Sequence, residues 1–169
     1  FTFVPNTQEW RVDPDSIYFH YVMNETIQGL AIRDPISSEI PVICDMSSCI
    51  LSEEVNFNNL DLVYAGAQKN IGPAGLTLVI IKKDFLEKAN EDIPDILSYK
   101  KNSQAGSMLN TPPTFAWYLA GKVFKWLLKK GGVKGIQKEN EKKAKFLYDF
   151  IDSSSFYSNP VEKEHRSIM

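Results

Sequence analysis

Cysteine and histidine are both scarce in this chain, and each scarcity excludes something. Cys44 and Cys49 are the only cysteines among 169 residues, and His20 and His165 the only histidines. Neither histidine stands near enough in sequence to complete a zinc-ligand spacing with the cysteines, so no metal site is expected. The cysteines fall in and just after an apolar run, which predicts free, buried thiols and a reducing, cytoplasmic setting. Charge of one sign is lacking too. Net charge is −2, from 19 basic and 21 acidic residues, which argues against nucleic acid as the main partner. No apolar run approaches the length of a membrane span, which argues against a membrane-embedded role. Internal repeats and low-complexity tracts are missing as well. What remains, 43% hydrophobic and 24% charged, is the composition of a globular protein with one real core.

Within that ordinary composition one segment stands out, Ala65-Gly66-Ala67-Gln68-Lys69-Asn70-Ile71-Gly72-Pro73-Ala74-Gly75. It places a lysine in a small-residue turn between two apolar runs, 62–65 and 76–81, that read as buried strands. A lysine held at the end of a core strand and partly desolvated can attack a carbonyl and form a Schiff base. The alternative reading is a loop lysine in a Gly-rich turn. A second segment, Pro41-Val42-Ile43-Cys44-Asp45-Met46-Ser47-Ser48, is another apolar run that ends in an acid and two hydroxyls. Ligands of α/β sheets bind at the carboxyl ends of strands, where Asp45 and Lys69 would both lie. A Schiff-base lysine with an acid for a ring nitrogen suits pyridoxal 5'-phosphate.

The rest of the chain reads as α/β. Residues 18–22 are an aromatic-rich strand running into a polar turn over 23–29, and 41–45 is the next strand. Strands 62–65 and 76–81 should be antiparallel, because the turn between them is too short for a crossover helix. Asp84 is expected to cap a short helix over 85–90. Residues 93–110 have little periodicity and read as a functional or interface loop. Thr111-Pro112-Pro113 opens a long helix with an apolar stripe of Phe115, Leu119, Val123, Trp126 and Leu127, taken as core. Gly131-Gly132 ends it, and a second helix follows with Ala144, Leu147 and Ile151 along one stripe and Phe146 and Phe150 beside it. The lysines of these two helices, interleaved with Glu139 and Glu141, read as solvated faces.

With those residues assembled, the chain closely resembles the phosphoserine aminotransferase family of class V, fold-type I pyridoxal-phosphate-dependent enzymes. The matching motifs are Asn24-Glu25-Thr26-Ile27-Gln28-Gly29, Cys44-Asp45-Met46-Ser47-Ser48, Ala65-Gly66-Ala67-Gln68-Lys69-Asn70 and Asn110-Thr111-Pro112-Pro113, in family order and at family-like spacing. The resemblance spans essentially the whole chain. It implies a large cofactor-binding domain over 1–155, a mixed, mostly parallel sheet flanked by helices, and the start of a small C-terminal domain over 156–169. The opening without methionine and the ending at Arg166-Ser167-Ile168-Met169 agree with an internal piece of a longer chain.

Position by position, the resemblance implies that Lys69 forms the Schiff base, Asp45 pairs with the pyridinium nitrogen and Thr26 binds the phenolic oxygen. Gln68 would bind the cofactor phosphate and Ser47 would help hold the cofactor. Asn110 and Thr111, ahead of a helix whose free amides favour a phosphate, would reach the cofactor of a neighbouring subunit in a homodimer. The implied reaction moves an amino group between O-phospho-L-serine and 2-oxoglutarate, giving 3-phosphooxypyruvate and L-glutamate, in serine biosynthesis and also pyridoxine biosynthesis. Phosphate and carboxylates call for arginines, and only Arg11, Arg33 and Arg166 occur here, outside any substrate motif. Those arginines and the ring-stacking aromatic are expected in segments beyond this chain, and Trp10 is not a candidate for the latter. Two other readings stand beside this one. Another fold-type member, a serine–glyoxylate aminotransferase or a cysteine desulfurase, would usually show Ser or His near the lysine, where Ala67 and Gln68 stand. A non-catalytic module would bind an acidic partner through its lysine-rich helices.

Overall fold

A computed structural model of the chain describes residues 2–169. Among the described residues the strands, in chain order, are β1 (Phe19–Val22), β2 (Asn24–Glu25), β3 (Leu30–Ala31), β4 (Val42–Asp45), β5 (Leu62–Gly66) and β6 (Thr77–Ile81). Four of them form one sheet in the order β1-β4-β5-β6, with β1 and β5 parallel to β4, and β6 antiparallel to β5. The mixed, mostly parallel sheet flanked by helices is the expected architecture, and the short turn does set the last two strands antiparallel.

Parallel pairing puts the carboxyl ends of β1, β4 and β5 on one edge. Val22 is the register partner of Asp45, and Asp45 of Tyr64. Because side chains alternate along a strand, Tyr21, Cys44 and Val63 turn to one face, and His20, Asp45 and Tyr64 to the other. The first face carries the core: Cys44 and Ala65 are fully buried there, beside Met46, Cys49, Ile50, Ala67, Ile71 and Ala120. Both cysteines are free. Burial pushes the Cys44 thiol up to about 11 and the Cys49 thiol up to about 12.

Several elements differ from their expected form. The polar turn over 23–29 contains β2, which pairs antiparallel with β3; Glu25 accepts the amides of Ile27 and Gln28, and Gly29 turns the chain at φ +72°. The short helix is α1 (Lys83–Leu86), entered at Lys82, so Asp84 is not its cap. Asp84 lies in the first turn, where a negative charge suits the helix dipole. The expected loop over 93–110 holds a 3₁₀ turn, Asp95–Leu97, and α2 (Tyr99–Gln104). Ser98 caps α2 by accepting the Lys101 amide, a local signal that periodicity alone does not carry.

The long helix is α3 (Thr114–Lys129), and the expected core stripe on it is corrected in part: Leu127 is buried and Leu119 and Val123 half-buried, but the aromatics are not core. Its buried residues are Ala116, Ala120 and Leu127, while Phe115 is 70% and Trp126 51% exposed. The cause is close approach: a Cβ on Gly72 would stand 3.6 Å from the Ala120 backbone nitrogen, so only small side chains fit between. After Gly131, in the left-handed region at φ +90°, α4 (Gly132–Ser153) runs back. Its buried residue is Asn140; Ala144 and Ile151 are half-buried, and Phe146, Leu147 and Phe150 are exposed. The lysines of both helices are exposed, as expected. The chain then returns to β3: Ser167 donates its amide to Gly29 O at 2.7 Å, and Tyr148 donates to Ser167 O at 2.7 Å. Among the described residues no helix is long and apolar enough to cross a membrane.

Candidate active site

Three strand ends meet where the motifs fall. Just past β5, the turn through residues 67–72 closes on itself, with Ile71 and Gly72 donating their amides to Ala67 O. Lys69 sits in this turn, and its Nζ donates to Thr26 Oγ1 at 2.7 Å across a sequence gap of 43 residues. Thr26 directly follows β2, which continues from β1. At the end of β4, Asp45 Oδ1 accepts the Ser47 amide at 2.7 Å, and Ser47 Oγ accepts the Gly66 amide at 3.0 Å. The two β-strand ends that carry Asp45 and Lys69 are therefore stitched together through Ser47.

Gln68 folds over Gly66. A Cβ at Gly66 would come within 2.4 Å of the Gln68 Oε1, so the missing side chain is what admits the amide. Asn110 and Thr111 are different. They are exposed in the segment before α3, Asn110 Nδ2 donates only locally to Thr111 O at 3.4 Å, and Pro113 rather than either residue occupies the cap position. Neither is bonded to Lys69, Asp45, Ser47, Gln68 or Thr26 among the described residues. Lys69, Gln68 and Thr26 are themselves exposed, so this chain alone does not supply the desolvation expected for the lysine. Two surface hollows, of about 370 and 520 Å³, lie around Ile36 and Asp61 and around Arg33 and Tyr148, while the exposed Lys69, Gln68 and Thr26 form an open shelf.

Two groups behind the shelf have no motif to announce them. His20 Nε2 lies 3.1 Å from the Tyr64 hydroxyl, and the two rings stack with centroids 5.9 Å apart. Partial burial and then the Asp45 carboxylate push the Tyr64 phenol's pKa up. Beneath the shelf, Asn24 Nδ2 donates to Ser48 Oγ at 2.8 Å, Ser48 Oγ donates to the Asn24 carbonyl at 2.6 Å, and Ser167 Oγ donates to Asn24 Oδ1. This buried network ties the Thr26 turn to the Asp45–Ser48 turn. A contact spanning 143 residues leaves no trace in local sequence pattern.

Arg33 and Arg166 are engaged in structure, and Arg11 is exposed. Arg33 bonds Glu53 and the carbonyl of Arg166, and Arg166 grips Asp152 with both nitrogens at 2.8 and 2.9 Å. Trp10 packs on Phe19 and donates to Pro5 O. An amine, a hydroxyl beside it and an anchored carboxylate remain at the shelf. That set could hold an aromatic cofactor bearing an aldehyde, an adjoining hydroxyl and a basic ring nitrogen.

The aminotransferase class-V family model matches residues 3–169, and the chain belongs to that family. Among named relatives, the phosphoserine aminotransferase of Acinetobacter baylyi is 51% identical over 166 residues, covering 98% of this chain and 46% of the relative. The phosphoserine aminotransferase structure from Bacillus circulans subsp. alkalophilus superposes with a TM-score of 0.93 at 40% identity, covering 98% of this chain and 46% of that one. A phosphoserine aminotransferase from Trichomonas vaginalis, solved with pyridoxal phosphate bound, gives a TM-score of 0.92 at 40% identity, over 98% of this chain and 49% of that one. This chain thus spans about half the length of the relatives it matches.

Proposed function

We propose that this chain is the cofactor-binding part of a phosphoserine aminotransferase, which moves an amino group between O-phospho-L-serine and 2-oxoglutarate with pyridoxal 5'-phosphate. The observation that carries the reading is the Lys69–Thr26 pair at 2.7 Å beside the anchored Asp45. In pyridoxal phosphate the aldehyde and the phenolic oxygen sit on neighbouring ring atoms, and the ring nitrogen lies across from the aldehyde. An amine and a hydroxyl in contact, with a carboxylate on the neighbouring strand end, match that pattern. A relative at 40% identity was solved with the same cofactor.

When bound, pyridoxal phosphate supplies an aldehyde that condenses with amines and a ring that accepts an electron pair. The chain's residues do the rest. Lys69 would hold the aldehyde carbon, and its freed amine would be the base that takes the substrate Cα proton. Thr26, now bonded to Lys69, is placed to bind the phenolic oxygen. Asp45, with one oxygen on the Ser47 amide, keeps its other oxygen for the ring nitrogen and favours the protonated ring. Gln68 would bind the cofactor phosphate, Ser47 beside Asp45 would help hold the cofactor, and Asn110 and Thr111 would reach the phosphate of the neighbouring subunit in a homodimer. Their exposure and purely local bonding support that cross-subunit role. The same reading divides the chain into large-domain residues 1–155 and small-domain residues 156–169, and places the enzyme in the cytoplasm. Substrate arginines belong to the remainder of the longer chain, since Arg33 and Arg166 are occupied here.

The test is made with this sequence in a chain of its relatives' full length. Borohydride reduction and digestion should place the cofactor adduct on Lys69 by mass spectrometry. Lys69→Ala should lose turnover by more than the ~10² to 10⁴ of a single positioned base, since anchor and base vanish together. An adduct on another residue, or near-normal turnover in the alanine variant, would sink the assignment. Equal rates with phosphoserine, alanine and serine as donors would overturn the substrate.

A further inference from the structure

We propose that Tyr64, held by His20, is a positioning residue for Asp45, donating its hydroxyl to the Asp45 carboxylate and so keeping the shared proton on the cofactor ring nitrogen. The inference rests on the assignment of Asp45 to that nitrogen.

The sheet register sets the two side chains side by side. Asp45 and Tyr64 are partners across β4 and β5, and partners on parallel strands share a face. His20 stands on the same face of β1, one step back, as the partner of Ile43. From β1 and β5 the two rings reach over β4 and meet, 3.1 Å apart at Nε2 and the hydroxyl, with their planes 18° from parallel. They lie on the face of the sheet that carries Asp45.

The hydrogen-bond inventory then has one consistent order. Asp45 Oδ1 already accepts the Ser47 amide, leaving lone pairs for the ring nitrogen and one more donor. The Tyr64 phenol, its pKa raised, stays a neutral donor at neutral pH. With the phenol proton turned to Asp45, His20 Nε2–H donates to the Tyr64 oxygen and fixes its direction. A hydrogen bond donated to a carboxylate favours its charged form, and so favours the proton on the ring nitrogen. Without Tyr64, the Asp45 carboxylate loses a donor and is less fixed, and the ring becomes a poorer electron acceptor.

The experiment uses this sequence in a full-length chain loaded with pyridoxal phosphate labelled with ¹⁵N in the ring. Tyr64→Phe keeps the ring and its packing and removes only the donor. It should move the ¹⁵N resonance toward the unprotonated position and lower kcat about 3- to 10-fold, the range one hydrogen bond commands, with KM nearly unchanged. His20→Ala should move the resonance the same way by less, and the double variant no further than Tyr64→Phe, because the two act as one chain. Asp45→Asn serves as the reference for complete loss. If Asp45→Asn moves the resonance and Tyr64→Phe does not, the inference is overturned while the Asp45 assignment stands. A resonance unmoved in Asp45→Asn overturns both.

Discussion

At the residue scale, burial decides the behaviour of the two cysteines. Cys44 lies at the centre of the core face, and its thiol is pushed from the usual 9.0 up to about 11. Two pH units leave about a hundredth of the ordinary thiolate at neutral pH, before any loss of access is counted. Labelling of the native protein by a thiol reagent at pH 8 should therefore be at least ~100-fold slower than after unfolding. The pH dependence follows from the sign. A group whose folded pKa is raised lends stability below its unfolded value near 9, and that stability disappears as pH rises through about 11. An alkaline titration of the melting temperature should fall in that window, and Cys44→Ala should flatten the fall. The sequence placed both thiols in the interior correctly, because an apolar β-branched run around Cys44 can only be a buried strand.

At the element scale, two glycines separate packing from function. Gly66→Ala puts a methyl 2.4 Å from the Gln68 Oε1, the far end of a flexible side chain, so the fold should stand while Gln68 is driven off the shelf. The expected result is weaker cofactor retention on dialysis, with the melting temperature little changed. Gly135 is the opposite case. A Cβ there would lie 2.0 Å from the Lys130 carbonyl oxygen, which is backbone and cannot step aside. Gly135→Ala should cost about 1–3 kcal/mol, read as a shifted denaturation midpoint, by forcing the α3–α4 turn open. The same turn shows where sequence reading stops. Gly131-Gly132 marks the end of α3 plainly, yet the buried stripe of α3 was not the aromatic one. Helical period fixes which residues share a face, but the face chosen was the one thin enough to approach Gly72.

At the scale of the whole molecule, the last residues act as a strap from α4 to β3. Arg166 clasps Asp152 bidentately, Lys163 Nζ stands 3.2 Å from the same carboxylate, and Arg166 bridges Leu30. The Arg166 guanidinium holds the Asp152 carboxyl at about 2, below its usual 3.8. A depressed folded pKa lends stability above the unfolded value and loses it as pH falls through the folded one. The strap should thus loosen between about pH 4 and pH 2. Pepsin cleavage within 156–169 should accelerate across that interval, and Asp152→Asn should remove the acceleration by loosening the strap at every pH. Around the rest of the surface, Phe115, Trp126, Leu128, Phe146 and Phe150 stand exposed together on α3 and α4.

The sequence by itself determined the four strands of the main sheet and the position of Lys69 and Asp45 at strand ends, because side-chain alternation and glycine placement are local properties of the covalent chain. Thr26 and Ser47 were legible through their motifs. Tertiary structure alone decided that Thr26 touches Lys69, that Ser47 joins Asp45 to Gly66, that Asn24 meets Ser167, and that small residues rather than aromatics line the buried side of α3. Those outcomes depend on strand order and on how closely two backbones approach, and neither is written in any window of neighbouring residues.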